Sequence, residues 1–381
     1  MQIAVLGTGM IGNAIVRELA QSPYIDSVVA VDAVEESLNR CLSSTNSSKV
    51  TGQVVSLSDI DSTVRILETV DLAIACLPHS LSMLATRAAI AAKCHLLDLV
   101  GSAFEEKLEL HEQAVDANVL IVPGCGVAPG ISNVLAGRGV ELLDTVDEVV
   151  MVCGGLPRHP LPPLWYQVVF RLESLLGLCT RPALAVEDGN FVKLPPLSGL
   201  TPISFPEPVG ECEAVVTDAH SIAYTLRGKV KKLYEMTARY KGHWDKMTTL
   251  AELGFLDAEK VEVNGVMVSP VELSSVVLRP KMQGASNEDV TVLRVTAQGY
   301  KDNKPVHLEW EMVDVYDKER NLTSMAKTTG FPPVIVAEWM AQGLIQDRGI
   351  VAPENLLAGE LFNPFISELG KRGVHISART H

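Results

Sequence analysis

No apolar run in this 381-residue chain reaches the ~18 to 20 residues that a membrane-spanning helix needs. The chain is therefore expected to be soluble, with no membrane partner. No basic segment precedes the first apolar run, Gln2–Leu6, so no secretory leader is expected. The seven cysteines (Cys41, Cys76, Cys94, Cys125, Cys153, Cys179 and Cys212) form no C-x-x-C pair. Their odd number and wide spacing argue against a disulfide framework or a zinc site, so no metal is expected; reduced thiols in a cytoplasm fit better. Positive charge is also in deficit. With 32 Lys and Arg against 46 Asp and Glu, the net charge of −14 argues against a nucleic-acid or anionic-membrane partner. Neither an internal repeat nor a low-complexity segment is present.

What is there reads as a globular protein with a sizeable core: 47% of residues are hydrophobic and 20% charged. The length suits two domains. The first half alternates strand and helix. Ile3-Ala-Val-Leu6 is followed by Gly7-Thr-Gly9-Met-Ile-Gly12, then by a stripe of Ile11, Ala14, Ile15 and Leu19 at helical spacing, then by Ser27–Val31 ending on Asp32. Strand, G-x-G-x-x-G, helix, strand, acid is the order of a dinucleotide-binding βαβ unit. Gly7 allows the tight turn, Gly9 lets backbone approach a pyrophosphate, and Gly12 lets the helix pack on the sheet. The helix N-terminus offers free N–H groups and partial positive charge to phosphate. Asp32 can bond a ribose 2′-hydroxyl and would repel a 2′-phosphate, which favours NAD over NADP. Thr8, Met10 and Ile11 complete the expected cofactor loop.

Further strands are predicted at Val54-Val55, Asp71–Cys76, Cys94–Leu99 and Val119–Val122, separated by helices. Six alternating strands predict a doubly wound parallel sheet, a Rossmann α/β fold. Ligands of such sheets lie beyond the carboxyl ends of the strands, where Leu77, Pro78, His79, Asp98 and Gly101 fall.

After Pro123 the pattern changes. Apolar strands Val290–Gln298 and Val306–Val315 flank Lys301–Lys304, and Val261–Val268 is centred on Asn264-Gly265; both read as hairpins. Two proline-rich patches, Pro157–Pro163 and Pro195–Pro208, read as ordered loops. From Thr328 the chain turns helical again. The expected organisation is a cofactor domain over 1–125 and 329–381, with an inserted α+β domain over 126–328.

A set of further motifs spans nearly the whole chain: Pro123–Gly130, Cys153–Pro157, Pro162–Tyr166, Leu172–Leu176, Arg239–His243, Thr328–Pro332 and Gly349–Glu354. Together with the N-terminal fingerprint they resemble the saccharopine dehydrogenase family, and within it the lysine 6-dehydrogenases. The resemblance implies an NAD-dependent oxidoreductase that converts the side-chain amine of L-lysine to 2-aminoadipate 6-semialdehyde, releasing ammonia and NADH. It places Tyr166, Gly126 and Thr329 among the substrate contacts. Glu173 and His243 stand where saccharopine reductases carry a basic and an aromatic residue, and both differences favour a small cationic substrate. The stretch Thr217-Asp218-Ala-His220 departs from the lysine 6-dehydrogenase pattern.

An ammonium with a reference pKa of about 10.4 must lose a proton before hydride can leave its carbon, so a nearby base and partial desolvation are useful. Glu173 is the expected holder of the ammonium and a candidate base. His243 and His79 are the other candidates for proton transfer. Arg239, with Tyr240, suits the amino-acid carboxylate. Asp98 is expected to order the loop near the nicotinamide, and Cys125 to be packing rather than a nucleophile. Two alternatives stand beside this reading: a saccharopine-type reductase that condenses an amine with a keto acid, and a non-enzymatic sensor of NAD(H). A homodimer is the expected assembly.

Overall fold

The computed structural model describes residues 1–169, 172–284 and 286–381. Eighteen strands occur among them: β1 Gln2–Leu6, β2 Ser27–Asp32, β3 Val50–Val54, β4 Leu72–Ala75, β5 His95–Asp98, β6 Leu120–Pro123, β7 Thr145–Pro157, β8 Ala183–Glu187, β9 Asn190–Leu194, β10 Thr201–Phe205, β11 Gly210–Thr217, β12 Val230–Tyr240, β13 Val261–Val263, β14 Val266–Val268, β15 Asp289–Lys301, β16 Lys304–Val315, β17 Gly349–Ile350 and β18 Ser377–Thr380. They belong to two compact units. The first comprises residues 1–141, 220–225 and 326–374; the second comprises 142–219, 226–325 and 375–381.

The first unit is built on a parallel seven-stranded sheet in the order β3-β2-β1-β4-β5-β6-β17. The six predicted strands are all present, and β17 adds a seventh at the edge. Ile3, Ala4, Val5 and Leu6 are wholly buried, as a strand covered on both faces requires. The helix Met10–Gln21 buries Ile11, Ala14, Ile15 and Leu19, the stripe read from the sequence, together with Gly12 and Val16. Strand order reverses between β1 and β4, and this switch point is where such sheets bind ligands.

The second unit is built on a mixed nine-stranded sheet with the path β10-β11-β12-β7-β15-β16-β18, extended by β8 and β9. Both expected hairpins form. Asn264 and Gly265 have φ of 51° and 82°, and Asp302 and Asn303 have φ of 51° and 58°, the left-handed pair that a two-residue turn between twisted strands demands. Tyr234, Met236, Ala238 and Tyr240 of β12 pack in one core with Val152, Leu156, Ala214 and Val292. The opposite face, through Val215, joins a second core with Tyr166, Leu172, Leu175, Trp244 and Met247.

The division differs from the expected one in three places. The helix Ile131–Leu142 belongs mostly to the first unit, because a Cβ on Gly137 would lie 2.9 Å from Glu354 Cβ and 3.1 Å from Ala358 Cβ; only glycine allows that approach. Residues 220–225 also belong there, tied down by Asn133 Nδ2 to Ser221 Oγ at 3.1 Å and by Thr225 Oγ1 donating to Glu354 Oε1 at 2.5 Å. The last residues belong to the second unit because β18 pairs with β16. The patch Pro195–Pro208 is not only loop: it contains β10, whose Pro202 is tolerated because the strand is at a sheet edge. No helix among the described residues is long and apolar enough to cross a membrane.

Candidate functional site

The glycines of the fingerprint have separable reasons to be glycine. Gly7 has φ +94°, and a Cβ there would sit 2.7 Å from the Cys76 carbonyl oxygen. A Cβ on Gly12 would sit 1.9 Å from the Gly7 carbonyl oxygen, inside the backbone of the turn. Gly9 is different. Its φ is −62°, open to any residue, and a Cβ there would meet nothing within 4 Å. Protein packing requires Gly7 and Gly12; among the described residues it gives no reason for Gly9. Gly9 is also the N-cap of the helix Met10–Gln21 and has no side chain to satisfy the helix N–H groups. A bare helix N-terminus beside an empty glycine cradle fits a pyrophosphate.

Asp32 is bonded to the fingerprint loop. Its Oδ2 accepts from Thr8 N at 2.7 Å and Thr8 Oγ1 at 2.9 Å, and its Oδ1 accepts from Val34 N at 2.9 Å. The carboxylate is thus fixed to the fingerprint loop at the carboxyl end of β2.

Across the switch point, Leu77 and Pro78 follow β4, and Pro78 caps the helix His79–Ala92. His79 is therefore the first residue of a helix, with Nδ1 3.1 Å from Ser102 Oγ. Asp98 is completely buried at the end of β5. Its Oδ2 accepts from Ser82 Oγ at 2.5 Å and Lys107 Nζ at 3.0 Å, and its Oδ1 from Val100 N at 2.9 Å. These bonds tie the end of β5 to Val100 and so to the loop that carries Gly101 and Ser102. Gly126 and Thr329 are brought together: a Cβ on Gly126 would lie 3.1 Å from Thr329 Cγ2. Cys125 is buried, and burial pushes its thiol up to about 12, so no thiolate is available there.

One residue at this edge escaped the sequence reading as a site residue. His220 has a left-handed φ of 50°, and its Cβ lies 3.1 Å from where a Cβ on Gly101 would be. Only the fold brings it to the carboxyl end of β5. The unusual stretch Thr217–His220 was its one signal.

In the second unit, His243 is buried, with Nδ1 2.8 Å from the Leu164 carbonyl oxygen. Its ring centroid is 5.3 Å from that of Tyr166 and 4.9 Å from that of Trp244. Burial first, and then the nearby Arg239 charge, push it down to about 3. It is a neutral ring in an aromatic cluster, poorly suited to take a proton at neutral pH, and its Nε2 has no partner among the described residues. The Arg239 guanidinium lies 4.7 Å over the Tyr166 ring and 5.7 Å over Trp244. Its Nη1 donates to the Ala238 carbonyl at 2.7 Å, while its buried Nε has no partner among the described residues. Arg239 and Tyr240 are adjacent in β12 and so face opposite sides of the sheet; Tyr240 Oη donates to the Pro157 carbonyl at 3.2 Å. One carboxylate does not meet both side chains. Glu173 opens the helix Leu172–Leu178, with its side chain 62% exposed and ion-paired to Arg279. Water screens such a pair, so Glu173 lacks the desolvation that was expected to favour proton transfer.

A second carboxyl in this unit was not singled out by sequence. Glu235, on β12, is only 6% exposed, and its Oε2 has no hydrogen-bond partner among the described residues. Burial, with the charge of Asp218, pushes it up to about 8. Cys153, opposite Thr237 on the neighbouring β7, is pushed up to about 12 by burial and by Glu235. Among the described residues no group of three or more His, Cys, Asp or Glu could hold a metal ion.

Comparison with known proteins places the chain in a family. The family model described as the saccharopine dehydrogenase NADP binding domain matches residues 3–122. The model for the saccharopine dehydrogenase C-terminal domain matches residues 126–374. The mitochondrial alpha-aminoadipic semialdehyde synthase of Bos taurus is 22% identical over 451 residues, covering 98% of this chain and 47% of that protein. The chain thus spans about half the length of that relative. Saccharopine dehydrogenase [NADP(+), L-glutamate-forming] of Saccharomyces cerevisiae is 21% identical over 467 residues, covering 99% of both chains. The fold matches the apo structure of the L-Glu-forming saccharopine dehydrogenase from Saccharomyces cerevisiae with a TM-score of 0.81 at 18% identity, over 100% of this chain and 99% of that one. By the extent of the family models and the fold that carries them, the chain belongs to the saccharopine dehydrogenase family.

Proposed function

We propose that this protein is an NAD-dependent dehydrogenase that oxidises the side-chain amine of L-lysine to 2-aminoadipate 6-semialdehyde, releasing ammonia. The observation that carries the cofactor half is the Gly9 cradle ending on Asp32. The pyrophosphate would lie on the Gly7–Gly12 loop and the N–H groups of the helix beginning at Met10. The Asp32 carboxylate would meet the ribose hydroxyls; a 2′-phosphate there would face a like charge, which supports NAD although the relatives' names print NADP. When bound, the nicotinamide ring accepts hydride from the carbon bearing the amine.

The chain's own residues supply the rest. Arg239 presents a buried cation with an unpartnered Nε, suited to the amino-acid carboxylate. The rings of Tyr166 and Trp244 lie within cation–π distance of that guanidinium. His243 stays neutral and orders the cluster through Leu164. His79, fixed to Ser102, is the candidate for relaying a proton at the end of β4. The wide spacing of the cysteines supports a reducing compartment, the cytoplasm, and a homodimer is the proposed assembly.

The names of the relatives favour a second reading, a saccharopine dehydrogenase acting on the larger adduct. A screen of NAD and NADP reduction over lysine, ornithine, diamines and saccharopine separates the two. Turnover with saccharopine alone would replace the lysine reading.

A further inference from the structure

Residues 253–281 of the second unit turn to water an amount of apolar surface that the single chain does not cover. The hairpin β13–β14 pairs Val261 with Val268, Glu262 with Met267 and Val263 with Val266. Paired residues share a face, so the four valines stand together on one side. Val261, Val263 and Val266 are each half or more exposed. Among the described residues these two strands pair only with each other, which leaves both edges open. A two-stranded hairpin is marginal in water by itself.

The helix Pro270–Lys281 follows after one residue. Val271 N donates to the Asp257 carbonyl at 3.0 Å, and Ser274 Oγ donates to the Phe255 carbonyl at 2.7 Å, so helix and preceding loop form one piece. Val271 and Leu278, two turns apart, pack against the core that contains Trp244 and Met247. The opposite side carries Leu273, Val276 and Val277 at helical spacing, and Val276 is 71% exposed. A helix that is apolar on both sides belongs between two surfaces. With Leu253, Phe255 and Met267, nine large apolar residues of this stretch are each half or more exposed, and they leave on the order of 1,000 Å² open. The largest apolar patch on a typical monomer is about 300–600 Å². A standard interface buries about 800 Å² on each partner.

Charge selects the occupant. The chain carries −14 in all, so two copies repel over most of their surface. Residues 253–281 hold four acids and three bases, which is close to balance. An anionic membrane would call for an excess of Lys and Arg there. β14, Val266–Val268, is an open edge without a charge, and an identical strand complements it about a two-fold axis. We infer that this stretch is the surface on which two copies of the chain associate: the helix Pro270–Lys281 and the β14 edge of one copy lie against the same elements of the other. This rests on the homodimer proposed above and names its contact surface; the substrate does not enter it.

Sedimentation velocity of the full chain over a wide range of concentration tests it. The parent should be a dimer. Val276→Asp/Val277→Asp would bury two carboxylates of each copy against an apolar face, so dimerisation should weaken roughly a hundredfold or more. Leu344→Asp changes a leucine of the first unit that is also more than half exposed, and it should leave the dimer as it is. Both variants should bind NADH as the parent does, which reports that they fold. If the double variant does not fold, hydrogen exchange of the parent decides. Amides of residues 261–281 should exchange more slowly as concentration rises through the dimerisation range. Unchanged dimerisation in the double variant overturns the surface and leaves the homodimer standing on another. Exchange there that ignores concentration while the dimer forms does the same. A parent that is a monomer throughout overturns both. A monomer that binds anionic lipid vesicles, and loses them in the double variant, assigns the stretch to a membrane and overturns the inference.

Discussion

Replacing Lys107 by Met would leave the Asp98 carboxylate buried beside an apolar chain of similar volume. Both side chains are completely buried, and Lys107 Nζ lies 3.0 Å from Asp98 Oδ2 and 3.2 Å from the Val100 carbonyl oxygen. The two remaining donors to Asp98, Ser82 Oγ and Val100 N, are neutral. Removing one partner of a buried ion pair costs about 3–5 kcal/mol, because the other charge stays behind uncompensated. Against a domain stability of about 5–15 kcal/mol this is a large share. The paired variant Asp98→Asn/Lys107→Met removes the stranded charge and should recover most of the loss, since the Asn oxygen still accepts from Val100 N and its NH2 can donate to the Ser82 hydroxyl. Hydrogen exchange of the β5 amides reports the first unit alone: its protection should drop by about 3–5 kcal/mol in Lys107→Met and return in the double variant. NADH affinity should weaken in parallel, because the loop that Asp98 holds carries Ser102, the partner of His79. A single variant within 1 kcal/mol of the parent would refute the claim that this pair orders the nicotinamide edge.

The two outer roles of the fingerprint separate cleanly. Gly9→Ala should cost at most about 1 kcal/mol in unfolding measurements, as a poorer N-cap, yet weaken NADH binding in a fluorescence titration. Gly12→Ala should cost about 1–3 kcal/mol or more by itself, since its Cβ would press on the Gly7 carbonyl. Asp32→Ala should weaken NAD binding more than NADP binding; equal losses would show that the acid does not meet the ribose. His243 titrates near 6.5 when unfolded and near 3 when folded, so its contribution is whole above pH 6.5 and is lost as pH falls toward 3. That gap corresponds to about 5 kcal/mol at full titration. Denaturation midpoints between pH 7 and pH 4 should therefore fall less steeply in His243→Phe than in the parent.

The parallel sheet was legible because its signals are local. Glycine turn, apolar strand and helical stripe follow one another within a few tens of residues, and β1 with Met10–Gln21 came out as read. The hairpins were legible for the same reason, since Asn264-Gly265 and Asp302-Asn303 state their own turn conformation. The pairing of β12 with β7, separated by more than 70 residues, leaves no local mark, and neither does the return of residues 220–225 to the first unit. The strand β10 was hidden by prolines that only an edge tolerates. The carboxylates show the limit most plainly. In sequence Glu173 and Glu235 are both acids among apolar residues. Only the fold shows one ion-paired in water and the other buried, with an oxygen that has no hydrogen-bond partner among the described residues.

The most direct test is to incubate the purified protein with L-lysine and NAD, without any keto acid, and follow NADH and ammonia together. A lysine 6-dehydrogenase gives one ammonia per NADH, with the semialdehyde as product and no response to added 2-oxoglutarate. No NADH from lysine, with oxidation of saccharopine or NADH consumption only when lysine and 2-oxoglutarate are both present, would contradict it.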